Sequence, residues 1–451
     1  MKLRTILGLL SSILFIFTCS LTLPNSDKRE ANDNNLLVAA LGSLIPTSYT
    51  SYVLVPNLDT TMPYLSIIGH KDGTNIMQSN IILDANPGDS TATKNDHIFA
   101  NLTNANKVAV INITSNGARL AKYIDAGSRP VHVYQDPDGK IWTMNDGNSG
   151  VDNINSACNT AGVGSVTIMQ DGVKGAADSD IANIIKHLCV GKGHHKAIFT
   201  ASPKRAFVSN ISDNSVSVID NDSTSGTYLT VLNTISLGSG AGPHGFSYSS
   251  ISGKVYISAQ TAGNLIAVNP STLATETITL GKSGPSSVSP SGQYIAVPGK
   301  DTATDADHVI GKVTIVNVST NIFSTVSIID ISPSTIKFSH DGNRMYVSSA
   351  QAGTGNQVTN LKQNVLLVYD SSNLPSLTLL AQVTVGDAKT GHRHIASASH
   401  GSMEHIFVPA GDGILYTVDS ETNTVTQKLE LGGSFSNAFF HTLGSTPNHS
   451  H

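Results

Sequence analysis

One unit recurs along this chain. It reads as a short apolar strand, a turn bearing Gly or Ser-Pro, a second strand, a further turn, an alternating third strand and a fourth strand that mostly ends in glycine. "RPVHVYQDPDGKIWTMND" opens it at Arg129, "GHHKAIFTASPKRAFVSNISDNSVSVID" at Gly193 and "GPHGFSYSSISGKVYISAQTAGNLIAVN" at Gly242. "SGPSSVSPSGQYIAVPG" follows at Ser283, "SPSTIKFSHDGNRMYVSSA" at Ser332 and "GHRHIASASHGSMEHIFVPA" at Gly391. The third strands are segments such as "SVTIMQD", "KVTIVNV" and "ILYTVDS"; the fourth are segments such as "LNTISLG", "TETITLG" and "LAQVTVG". The alternation has period two, so a helical solenoid is excluded. Four strands per unit, at a spacing of roughly forty to sixty residues, is the pattern of propeller blades.

Six first strands are counted this way, and "GSFSNAFFH" at Gly433 to His441 makes a seventh. Its partners are expected to be "HIFANL", "KVAVINI" and "RLAKYIDAG" near the N-terminus. A C-terminal strand that completes an N-terminal blade closes a ring and removes both sheet edges. The expected fold is therefore all-β: a seven-bladed propeller of four-stranded antiparallel blades, spanning residues 48–441 and closed by the C-terminal strand. Residues 48–95, which hold the strand-like Tyr52 to Ala85, are left as a decoration or a partial extra blade. Residues 442–451 read as a flexible tail containing histidine.

The stretches "FSHDGNRMYVSS", "SPSGQYIAV", "FVSNISDNSVSVID" and "VYISAQTAGNLIAVN" resemble the YVTN-type β-propeller repeat family. That family is related to the haem d1 and nitrous-oxide-reductase-type propellers. The resemblance covers Gly127 to His441 well and Asp96 to Gly127 less well. It is specific for the fold and weak for function, because the scaffold serves enzymes, adhesins and binding proteins alike. Related propellers hold copper clusters or haem d1 with histidines from the inner strands, so the resemblance allows such a site here, but these positions match no known ligand set one by one and no ligand is carried over.

Histidines gather at the starts of first strands: His132, His194, His195, His244, His392 and His394. In a propeller these positions share one face with the loops between second and third strands. Three of those loops are long, Asp146 to Gly164, Lys300 to Gly311 and Gln351 to Gln363, and long loops in a compact domain usually carry function. Converging imidazoles suit Cu or Zn. Adjacent strand residues face opposite ways, so only one of His194 and His195 is expected to reach a common centre, whereas His392 and His394 share a face. The plainer reading, strongest for His244 in "GPHGF", is a histidine that hydrogen-bonds a neighbouring blade. His441 is expected at the opposite face.

The N-terminus reads as an export signal over residues 1–19: Lys2 and Arg4, then the apolar run Ile6 to Phe17. Cys19 stands where a lipoprotein signal places its acylated cysteine, although Thr18 departs from the usual small residue before it. Residues 20–47 read as a tether. Cys158 and Cys189 are expected to pair as a disulfide in an oxidising compartment, with a metal-binding thiolate as the alternative. The expected location is the bacterial cell envelope, lipid-anchored or periplasmic, with membrane attachment only through the lipid.

Charged residues are 13% of the chain against about 25% in ordinary globular proteins, and the net charge is −5. Lys and Arg do not cluster, so no nucleic-acid partner is expected. There is no nucleophile elbow, Walker loop, dinucleotide fingerprint or His-Glu-x-x-His, and no Cys-x-x-Cys-His for covalent haem. Three functions remain: a metal-binding envelope protein, a protein- or glycan-binding module at the loop face, or a copper or haem redox protein.

Overall fold

The computed structural model describes residues 48–445, apart from 60, 148–151, 161, 304, 306, 352–357, 401 and 402, with backbone only at 300–303 and 400. The expected signal, Cys19, the tether and most of the tail lie outside these residues. The chain separates into two units, Met1–Ser48 and Tyr49–His451, and every described strand belongs to the second.

The strands form eight four-stranded antiparallel sheets, not the seven expected. Blade 1 consists of Ser51–Pro56, Tyr64–Lys71 and Thr74–Ile82, with Phe439–Thr442 as its innermost strand. Blades 2 to 8 each use four consecutive strands and span residues 87–125, 130–192, 197–236, 243–279, 287–329, 333–384 and 396–430. The segment left as a decoration or a partial extra blade thus supplies three strands of a full blade, completed by the C-terminal strand, and the first strand of the next. The C-terminal strand pairs with Ser51–Pro56 (Val53 opposite Phe440) rather than with the strand His97–Leu102. The first strand of blade 2 is Pro87–Ala92, "PGDSTA", which carries little apolar signal and leaves no vacancy for the C-terminal strand. Its inner strand also contacts Phe439–Thr442, so the first and second blades are neighbours through the closing strand.

Eight apolar clusters fill the spaces between neighbouring blades. One joins Val53, Val55 and Ile68 of blade 1 to Phe407 and Leu415 of blade 8. This explains the burial along each blade. Middle strands are packed on both faces, so Lys140–Asn145 and Ser215–Asp220 are buried throughout. Outermost strands such as Val231–Ser236 meet a neighbour on one side at most and are exposed at all but one residue. Between strands the turns follow local chemistry: Gly139 in "DPDGK" and Gly342 in "HDGNR" take φ of 89° and 75°, a region that favours glycine.

The long loop of blade 3 is pinned to its own sheet. A 3₁₀ turn, Ser156–Cys158, is capped by the Asn155 side chain and joined through a Cys158–Cys189 disulfide to the strand Asn183–Lys192. The loops of blades 6 and 7 touch, the Asn360 N–H donating to the Asp307 carbonyl at 3.1 Å. Among the described residues no helix is long and apolar enough to cross a membrane.

Ending the chain after Gly432 removes Phe439–Thr442, unpairs Ser51–Pro56 and strips the innermost strand from blade 1. We expect the single cooperative melt of the full chain to broaden and fall by more than about 10 °C, on the scale of several kcal/mol lost from a large domain. Circular dichroism on the two chains checks this.

Candidate metal centre

Several inner strands begin with a break in register. It lies between Pro87 and Ser90, Pro130 and His132, Pro243 and Phe246, and Pro333 and Ile336. Such a bulge re-aims the side chains it carries. In three of the four strands the re-aimed segment holds Asp89, His132 or His244. Asp89 stands two residues after Pro87 as His132 stands two after Pro130.

Two imidazoles meet there. Nε2 of His132 lies 3.0 Å from Nε2 of His194. On the other side of each ring is a carboxylate: His132 Nδ1 is 3.0 Å from Asp89 Oδ2, and His194 Nδ1 is 3.0 Å from Asp146 Oδ2. An ionised carboxylate only accepts, so with Asp89 and Asp146 both ionised each Nδ1 carries the hydrogen and donates. In the neutral rings both Nε2 atoms then present lone pairs to one another. Two acceptors at this distance repel unless a proton or a cation lies between them. Outward carboxylates that fix the tautomer and raise the basicity of an imidazole are the usual second shell of a metal-bound histidine. Two nitrogens bound to one tetrahedral ion at about 2.0–2.1 Å are about 3.3–3.4 Å apart. The observed pair fits with a shift of a few tenths of an ångström.

Three more imidazoles continue the pair. Ring centroids are 4.8 Å apart for His132 and His194, 5.1 Å for His194 and His244, 5.6 Å for His244 and His392, and 6.2 Å for His392 and His394. The row therefore crosses the mouth from blades 3, 4 and 5 to the segment leading into blade 8. His392 is exposed, while His132 and His244 are buried. The backbone between His392 and His394 is held by Arg393, whose carbonyl accepts from Ser348 Oγ at 2.8 Å and from Thr335 Oγ1. The Arg393 N–H donates to Ser334 Oγ at 2.9 Å, and its guanidinium donates to the Gly386 carbonyl at 2.7 Å. The His394 N–H donates to the Ser436 carbonyl, which ties the segment to the stretch leading into the closing strand.

The electrostatics favour neutral rings. Burial, with Lys196, His194 and His392 nearby, pushes His244 well below the usual imidazole range. Burial, Lys196 and His392 do the same to His394. Lys196 itself is brought down to about 8 by burial, against the pull of Asp89. Burial raises Asp89 to about 7, opposed by the N–H groups of Val133 and Ser90 and by Lys196. Lys196 opposes a cation at this mouth; Asp89 and Asp146 favour one.

The row thus gathers five of the six histidines singled out in sequence. His195 faces away: it lies with His194 in the segment between the strands Asn183–Lys192 and Ala197–Ala201, is fully buried, and has Nδ1 2.6 Å from the Ser209 carbonyl. His441 lies apart and bonds Asp96 at 3.0 Å. Asp89, Asp146 and Lys196 carry no sequence signal of this kind. In the sequence Asp146 is only the start of a long loop, and Asp89 sits in a strand too polar to stand out.

No family model matches the chain, and no curated protein matches it. Solved structures do match. AztD of Citrobacter koseri is 15% identical with a TM-score of 0.59, over 88% of this chain and 99% of that one. The dihydro-haem d1 dehydrogenase NirN in complex with DHE is 10% identical with a TM-score of 0.61, over 89% and 78%. The periplasmic gluconolactonase PpgL of Pseudomonas aeruginosa is 11% identical with a TM-score of 0.56, over 88% and 99%. At these identities the likeness is one of fold. The propeller that the YVTN resemblance implied is present; the family itself is matched by no model.

Asp146 is buried and accepts from His194 Nδ1 and from the His195 N–H at 3.3 Å. Asp146→Ala strands both donors and should cost about 1–3 kcal/mol in urea unfolding. It should also let His194 change tautomer, visible as a shift of its ring nitrogens in 15N NMR. An unchanged His194 spectrum would show that the carboxylate does not orient the ring.

Proposed function

We propose that this chain is an exported β-propeller that binds one transition-metal ion, Zn or Cu, at its channel mouth. His132 and His194 are the principal ligands, and His244, His392 and His394 line the approach. The observation that carries the reading is the facing Nε2 pair at 3.0 Å with both Nδ1 atoms committed to carboxylates. His195 has no part in it. The bound ion would supply a borderline-soft Lewis acid held by neutral imidazole. The residues around it read as a holder rather than a catalytic apparatus, because Asp89 and Asp146 are already occupied with orienting the rings.

Export is supported by the Cys158–Cys189 disulfide, which suits an oxidising compartment, and by the basic and apolar N-terminal run. PpgL, periplasmic by its name, shows that the same fold serves there. Lipid attachment at Cys19 and a cell-envelope location belong to this proposal.

A second reading rests on the channel beyond the row. A cavity of about 1000 Å³ is lined by Ser247, Ser287, Ser289, Ser339, Lys337 and Glu404, with Phe246, Tyr248 and Phe338 between them. Hydroxyls beside aromatic faces suit a glycan or another polyhydroxylated ligand, and this favours the binding-module alternative.

Calorimetric titration of the untagged protein with Zn²⁺ and with Cu²⁺ should give one tight equivalent at pH 7.5. His132→Ala/His194→Ala should abolish it, and Asp89→Asn should weaken it about 10–100-fold. Affinity should fall at pH 5.5, below the ordinary imidazole pKa of about 6.5, because protons then compete for the ligand nitrogens. Equal binding by the double variant would refute the reading.

A further inference from the structure

The loop that starts at Asp146 is anchored by a second cluster, separate from the histidine row. Asp152 and Cys158 come from the loop. His187 and Cys189 come from the strand Asn183–Lys192, two residues apart and so on one face of it. Asp152 Oδ1 accepts from the N–H groups of Ile154 and Asn155, each at 3.0 Å. Its Oδ2 accepts from Ser165 Oγ at 2.8 Å and from His187 Nε2 at 2.9 Å. His187 Nδ1 lies 3.0 Å from Thr167 Oγ1. The ligating atoms of Asp152, Cys158 and His187 all fall within 4.8 Å of one another, the only such group among the described residues. As it stands the set cannot hold a metal, since the Cys158 sulfur is bonded to that of Cys189.

We propose that the Cys158–Cys189 disulfide is the closed state of a second metal site. Reduction opens a Cys₂-His-Asp set for Zn²⁺ or a similar divalent ion. The reductant is an external dithiol. It gives two electrons and two protons to the S–S bond, leaves Cys158 and Cys189 as two thiols, and ends as its own disulfide. A divalent ion then displaces one proton from each thiol, and both leave to solvent. The His187 ring proton moves from Nε2 to Nδ1, where Thr167 Oγ1 accepts it in the second-shell manner. Asp152 gives up its bond from Nε2 and turns the same oxygen to the ion.

The geometry suits this change. Sulfurs bound to one tetrahedral zinc at about 2.3 Å each lie about 3.7–3.8 Å apart. Two freed thiols reach that separation by small side-chain rotations, with both backbones in place. The four donors span two thiolates, an imidazole and a carboxylate, a mixture zinc accepts readily. Cys189 is half-buried, so a small dithiol can reach it.

The test uses Co²⁺ on the full chain, because thiolate ligation gives a near-ultraviolet charge-transfer band that imidazole ligation does not. Protein reduced with dithiothreitol and desalted without oxygen should develop this band at one equivalent of Co²⁺. Oxidised protein should show none. His187→Ala, which keeps both cysteines, should weaken cobalt binding at the reduced site at least tenfold. His132→Ala/His194→Ala should leave the band unchanged, which separates this site from the channel-mouth reading. Absence of the band in protein shown by thiol titration to carry both free cysteines would overturn the proposal. So would a reduced chain that loses its fold, or a band of equal strength and affinity in His187→Ala.

Discussion

The pairing of Phe439–Thr442 with Ser51–Pro56 brings the two ends of the described fold into one sheet, and the position of every inner strand follows from it. A propeller blade exposes apolar surface on both faces. Each blade here is covered by its two neighbours, and the last apolar cluster is completed only when blade 8 meets blade 1. Because the blades are fixed in this way, the starts of the inner strands converge. Side chains more than forty residues apart in sequence, such as Asp89 and His132, then come into hydrogen-bond contact.

At that convergence the protein sets up an electrostatic conflict. Asp89 and Asp146 draw the Nδ1 protons of His132 and His194 outward and leave two nitrogen lone pairs face to face at 3.0 Å. A part-buried contact between two acceptors is unfavourable unless something satisfies it. A proton shared between the rings relieves it by making one an imidazolium, and a metal ion relieves it while leaving both rings neutral. The depressed basicity of His244 and His394 and the lowered affinity of Lys196 for its proton limit the positive charge at the mouth. All three effects come chiefly from burial, so the fold itself sets the charge state that a cation would meet.

Much of this architecture is legible in the amino acids. Period-two alternation and glycine-bearing turns mark the blades from Arg129 onward, and the histidines at strand starts point to one mouth. That His194 and His195 part company matches the expectation from sequence, although both lie in the segment just before the strand Ala197–Ala201 rather than in a strand. The eighth blade is harder to see. "PGDSTA" is short and polar, so Pro87–Ala92 does not register as a first strand. The C-terminal strand is then given the wrong partners, and Asp89 disappears with the blade. Asp146 is hidden for a different reason. A carboxylate at the end of a strand looks like an ordinary turn residue, and only the fold shows that it reaches His194, 48 positions away.

Whether His132 and His194 hold one ion between them is tested most directly by anomalous diffraction. A crystal soaked in Zn²⁺ would be measured on both sides of the zinc edge. A single strong peak bridging the two Nε2 atoms is expected, with Asp89 and Asp146 still bonded to Nδ1. A mouth without a peak, with the two rings joined through a proton, would contradict the proposed site. So would zinc bound only elsewhere on the propeller.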